Sequence, residues 1–159
     1  MKPLNALALS IALLVALWVY LSIGLPALQL IPWIGFVAWA TFFAGGGGKG
    51  AIGQVLPPAI AGVLLTALTM AGVGYFGGAL AALIVLVAVL AFVLVFMASH
   101  RFLAYTPAAF LGAASYFGSG GKVDESILFV IVSWIVGVGF GYVSEQVGSR
   151  LARPAAASN

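Results

Sequence analysis

The chain has no cysteine, which excludes disulfides and thiolate chemistry and leaves its redox compartment unmarked. Ionisable groups are nearly as scarce, with one histidine and three acidic residues. A hydrolase or transferase working within a membrane needs buried carboxylates, a histidine pair or a metal cluster. The sequence is therefore expected not to be an enzyme, to take no cofactor and to hold no metal. Its six Lys and Arg are scattered along the chain, so it lacks the basic patch that nucleic acid requires. Charged residues make up 6% of the total, against about a quarter in soluble domains. A soluble fold would have too little polar material to cover its surface.

What remains is apolar: 64% of the 159 residues are hydrophobic. The lipid bilayer is the natural solvent for such a chain, and each crossing needs about 20 apolar residues. The expected fold is an all-α membrane protein of one domain with six transmembrane helices. The first covers residues 4–23, with Lys2 before it and Trp18 and Tyr20 near its far end, where rings suit the interface. Its apolar run is too long for a leader peptide and lacks a small-x-small cleavage site. The second is expected over 28–44 with Pro32, the third over 52–73 with Pro57 and Pro58, and the fourth over 79–98. The fifth follows over 102–117 with Pro107, and the sixth over 126–147, leaving a disordered tail at 150–159.

Basic residues give an orientation. With the N-terminus in the cytoplasm, Lys2, Lys49, Arg101, Arg150 and Arg153 fall inside and Lys122 outside. That imbalance is what the positive-inside rule asks for, and it places both termini in the cytoplasm.

Two stretches also read alike. Residues 36–47 (FVAWATFFAGGG) align without a gap on residues 110–121 (FLGAASYFGSGG), 74 positions later. Phe falls on Phe twice, Thr on Ser and Phe on Tyr, and each copy has a proline upstream. Three crossings separate the copies, and an odd number inverts the second. The expectation is two inverted three-helix repeats, residues 1–74 and 75–149, with helices two and five short or Pro-interrupted. Such paired short or broken segments are the pointer to a transporter's binding site.

The stretch Tyr105-Thr106-Pro107-Ala108-Ala109-Phe110-Leu111-Gly112-Ala113, with Phe117 and a Gly-rich exit, resembles the YcdZ-like bacterial inner-membrane proteins. Residues 35–50 resemble them too, while the first helix and the tail match only in character. The resemblance implies a multi-pass protein of the bacterial inner (cytoplasmic) membrane. The family is one of unknown function, so it brings no catalytic or binding residue.

The residues themselves offer candidates. Each repeat sets a hydroxyl beside aromatic rings just before a Gly-rich break. Thr41, Phe42 and Phe43 in one copy, and Thr106, Pro107, Ser115, Tyr116 and Phe117 in the other, could line a narrow path for a small solute. Aromatic walls would set its diameter, and hydroxyls would replace lost hydration. The competing reading makes these rings the bundle core. Glu145 and His100 are the candidates for a proton site, against interfacial anchoring near Arg150 and Arg101. Asp124 and Glu125 are expected to offset the dipole of helix six. Ser133, Gly137 and Gly141 form a small-residue face for helix packing or a protomer contact. Neither Gly-rich loop is a phosphate loop: Gly50 and Val123 stand where that motif requires Ser or Thr after Gly-Lys.

The leading functional expectation is a channel or facilitator for small uncharged or weakly charged solutes, working as a homo-oligomer. Its alternatives are a proton-coupled secondary transporter and a non-transporting assembly or adaptor subunit.

Overall fold

Proline decides where several of these helices begin. The computed structural model describes residues 1–152, so Arg153 and most of the expected tail lie outside the described residues. Helix α1 (Pro3–Val19) starts on a proline, unwinds through a π-turn at Tyr20–Gly24 and ends in a 3-10 turn at Pro26–Leu28. Helix α2 (Pro32–Ala44) again starts on a proline. A proline in the first turn gives up an N–H that has no helical partner anyway, and its fixed φ already suits the helix.

Residues 45–47 then turn the chain, with Gly46 and Gly47 at φ of 95° and 68°, a region open mainly to glycine. Helix α3 (Gly48–Tyr75) follows, then α4 (Leu80–Phe96), which ends in a 3-10 turn at Met97–Ser99. Helix α5 (Thr106–Gly118) has Pro107 in its first turn. It leaves through another left-handed glycine pair, Gly120 and Gly121 at φ of 101° and 59°. Helix α6 (Ser126–Leu151) closes the fold. At its start the Asp124 carboxylate accepts the Ser126 N–H at 2.8 Å. Hydrogen bonding from Ser126 holds the Asp124 carboxyl below its usual value.

Every element of regular structure among the described residues is helical. Among the described residues, four stretches are long and apolar enough to cross a bilayer: Pro3–Gly24, Gly48–Tyr75, Leu80–Ser99 and Ser126–Leu151. The helices α2 and α5 have 13 residues each. At 1.5 Å per residue each is about 20 Å long, against a hydrocarbon core of about 30 Å. They are short rather than interrupted. Pro32 and Pro107 stand at their N-terminal ends, so of the two expected forms, short or Pro-interrupted, these helices take the short one. Among the described residues, the prolines that do lie inside a helix are Pro57 and Pro58 of α3.

Helix α5 packs mainly on α3, and α2 mainly on α6, while α3 and α6 also pack on each other. On the outside, α1 packs on α6 and α4 on α3. Helix α4 is the least covered, and Ile84, Val85, Val89, Phe92, Val95 and Phe96 on it are all exposed. An all-apolar surface of that extent is what lipid requires.

The close approaches use small residues. A Cβ on Gly62 would run into the Ala109 carbonyl, and one on Gly112 into the Ala59 carbonyl. On the other side of the bundle, a Cβ on Gly137 would stand 2.6 Å from the Gly35 carbonyl oxygen.

Candidate functional site

The two short helices bring their hydroxyl and aromatic residues to the middle of the bundle. Phe42 and Tyr116 are buried in one apolar cluster with Val55, Val63, Val130 and Trp134. Phe43 is half-buried against the same cluster, edge-on to Phe42 with ring centroids 5.4 Å apart. Thr41 and Ser115 are buried as well, and each hydroxyl turns back on its own helix. Thr41 Oγ1 donates to the Val37 carbonyl at 2.6 Å, and Ser115 Oγ to the Leu111 carbonyl at 2.7 Å. Ser115 Oγ also accepts the Trp134 indole N–H at 3.0 Å. The Tyr116 hydroxyl leaves the core and donates to the Lys122 carbonyl at 2.6 Å.

The remaining residues of that set lie further out. Thr106 is half-buried and Pro107 exposed in the first turn of α5. Phe117 is 37% exposed and faces α4. Among the described residues, no buried side-chain nitrogen or oxygen lacks a hydrogen-bond partner.

Surface grooves lie around α4 and its flanks, four of them well defined among the described residues. Three are apolar: between α3 and α4 at Leu68 and Val89, between α4 and α5 at Leu94 and Phe110, and beside Gly120 and Gly121. The fourth is of mixed polarity and lined by Gly53, Gln54, Arg101, Phe102, Ala104 and Tyr105. Of the residues singled out from sequence for a solute path, Phe117 alone lines any of these four.

Glu145 reaches across the bundle to the start of α3. Its Oε2 accepts the Gly48 N–H at 2.6 Å. A carboxylate there satisfies a free helix N–H and meets the positive end of the α3 dipole. His100 is exposed at the end of the turn after α4, and the Arg101 guanidinium lies 4.7 Å from the centre of the Phe102 ring. Glu145 and His100 are not brought together at one site.

Ser133, Gly137 and Gly141 face α2 within the chain. Ser133 Oγ accepts the Ile31 N–H at 2.8 Å, Gly137 meets Gly35 and Ala38, and Gly141 meets the Phe42 ring.

Sequence reading overlooked an indole–serine network. The Trp39 indole donates to Ser144 Oγ at 3.1 Å, and Ser144 Oγ donates to the Gly141 carbonyl at 2.7 Å. Ser10 Oγ donates to the Ser144 carbonyl at 2.8 Å, and the Trp18 indole to the Pro32 carbonyl at 2.9 Å. A tryptophan inside an apolar run was the available signal, since its N–H must find an acceptor when buried. No cluster of metal-binding side chains occurs among the described residues.

Comparison with known proteins places these features in a family. The chain is 31% identical to the uncharacterized protein YahC of Escherichia coli K12, over 95% of this chain and 94% of the relative. It is 29% identical to the inner membrane protein YcdZ of the same strain, over 96% of this chain and 90% of the relative. No solved structure matches it. The long apolar helices and the membrane relative agree on a membrane location. Residues 8–149 match the family model described as protein of unknown function DUF1097, and the chain belongs to that family.

Proposed function

We propose that this chain is a facilitator for small uncharged or weakly charged solutes in a bacterial inner membrane, acting without a catalytic step. In this reading it crosses the membrane six times as two inverted three-helix halves, with both termini in the cytoplasm. The observation that carries it is the exchange of short helices. The short helix of each half packs mainly on the long third helix of the other half, α2 on α6 and α5 on α3.

Further support comes from the order of elements. Each half runs through a 17-residue helix, an irregular break, a 13-residue helix with proline in its first turn, a left-handed glycine turn and a long helix. Substrate sites in inverted-repeat transporters lie at such repeat interfaces, beside discontinuous helices. Thr41 and Ser115 would then meet the solute once the short helices part from the long ones. A bundle this thin has little room for a wide path, which favours a homo-oligomer.

A second reading, a non-transporting assembly subunit, is favoured by the satisfied hydrogen bonds of the buried polar side chains among the described residues. A proton-coupled transporter has less support, because the Glu145 carboxylate is engaged at Gly48 and His100 stands apart from it.

Proteoliposome flux over water, urea, ammonia, glycerol and small organic acids separates these readings. Flux above empty liposomes for at least one solute is expected, and none across the panel would leave the assembly subunit. Topology is tested by reporters fused after Lys122 and at the C-terminus, which should report opposite sides of the membrane. Reporters on the same side would end the six-span, inverted arrangement.

A further inference from the structure

The two glycine turns match bond for bond and then diverge. After α2, the N–H groups of Gly45, Gly46 and Gly47 donate to the carbonyls of Thr41, Phe43 and Phe42. After α5, those of Ser119, Gly120 and Gly121 donate to Ser115, Phe117 and Tyr116, each 74 positions later. The next pair, Gly48 and Lys122, is fastened differently. The Lys122 carbonyl accepts the Tyr116 hydroxyl, so the second turn is tied to its own helix. The Gly48 N–H donates to Glu145 Oε2, so the first turn is tied across the bundle to α6. The carboxylate lies over that turn, and a Cβ on Gly47 would stand 2.7 Å from Glu145 Oε1.

The chain around this clasp is permissive. Gly46, Gly47 and Gly48 all have positive φ. Helix α3 then runs through Gly50 and Gly53, and glycine is a poor helix former. A Cβ on Gly46, Gly48, Gly50 or Gly53 would meet nothing within 4 Å among the described residues. Further along, Pro57 and Pro58 have no N–H to give back to this first stretch of α3. Ala51 and Val55 anchor its other face in the core. The start of α3 is thus a weakly made helix, packed on one face and closed at its end by a carboxylate from α6. Segments of this kind open locally at far less cost than the whole fold.

We propose that Glu145 is a positioning residue that latches the α2 half of the solute path. While its carboxylate holds Gly48, the turn and the end of α2 stay against α6. When that bond breaks they part from it and uncover Thr41, whose carbonyl closes the same turn. The α5 half is outside the reach of this latch, because the bond from Tyr116 to Lys122 lies within one short stretch of chain and travels with α5. A carboxylate suits the task, since a hydrogen bond to a charged group is about twice as strong as a neutral one. The solute path rests on the facilitator reading, whereas the latch is a property of the fold.

The test is selective thiol labelling. The chain has no cysteine, so a single one reports opening without background. Thr41→Cys and Ser115→Cys, both at buried positions, are introduced separately into the full chain, purified in detergent and reacted with a water-soluble maleimide. Glu145→Ala should raise the labelling rate of Thr41→Cys about tenfold, the weight of one hydrogen bond to a charged group. It should leave the rate of Ser115→Cys unchanged. Glu145→Gln keeps a neutral acceptor and should fall between, and it carries the test if the alanine protein does not fold. Asp124→Asn, which weakens the cap at the opposite end of α6, should change neither rate. Both rates rising together in the Glu145 variants, with a lower melting temperature, would overturn the proposal and leave Glu145 an ordinary structural contact. An unchanged Thr41→Cys rate would overturn it too. Flux measured on the Glu145 variants separates the two readings. Selective labelling without flux for any solute upholds the latch and removes the facilitator, whereas flux without selective labelling removes the latch alone.

Discussion

Alanine at Gly62 or Gly112 is expected to destabilise the bundle by about 3 kcal/mol or more, the upper end of what overpacking costs. Helices α3 and α5 cross with their backbones in contact at these two glycines. An added methyl would strike the Ala109 carbonyl in one case and the Ala59 carbonyl in the other. A flexible side chain could swing aside, but a carbonyl held in a helix cannot, so the helices must separate. Separation would open the packing of Val55, Ala59 and Val63 against Ala108 and Tyr116. Bundles in lipid depend on such close packing, because lipid tails are as apolar as the side chains and the hydrophobic effect does not drive helices together there. Gly139→Ala is the matched control. Nothing lies within 4 Å of the Cβ it would add, and alanine favours a helix by up to about 1 kcal/mol over glycine. Thermal unfolding in detergent compares the three variants. A Gly62→Ala or Gly112→Ala protein as stable as Gly139→Ala would mean that the crossing yields without loss.

These crossings show what the sequence could and could not reveal. Helical class and membrane location were legible from composition alone, since a chain with 6% charged residues has few other options. The matched stretches at 36–47 and 110–121 were visible too, and they end in left-handed glycine pairs of similar geometry. Helix starts were less legible. Apolar character extends upstream of Pro32 and Pro107, so hydropathy put the starts of α2 and α5 at residues 28 and 102, earlier than Pro32 and Thr106. Helix α3 begins at Gly48 inside a glycine run that reads as a loop, because Glu145, nearly a hundred residues away, accepts the Gly48 N–H. Partners of that kind leave no local signature. The same holds at the candidate site. The residue pattern marked Thr41 and Ser115, but it did not show that their hydroxyls bond back to their own helices or that Trp134 donates to Ser115.

Tyr116→Ala is expected to cost about 3–5 kcal/mol, in line with removal of a large ring from a packed core. Tyr116 is 1% exposed, and its cluster includes residues of α2, α3, α5 and α6. The substitution also removes the hydroxyl that holds the Lys122 carbonyl at 2.6 Å. Tyr116→Phe isolates that second contribution and should cost about 1 kcal/mol, the net value of one hydrogen bond. The pair of variants bears on function as well as stability. If the short helices part to admit a solute, the ring lies on the face that opens, and alanine there should raise flux or broaden the range of solutes in protein that still inserts. If the ring serves only to fill the core, the alanine variant leaves a cavity, loses stability and leaves permeability unchanged. A Tyr116→Leu variant, which removes less volume than alanine, keeps the measurement interpretable should the alanine protein fail to fold. Flux and melting temperature measured on the same purified sample then decide the matter, and a drop in stability with no change in permeability would remove Tyr116, and the α5 half of the solute path with it, from the proposed function.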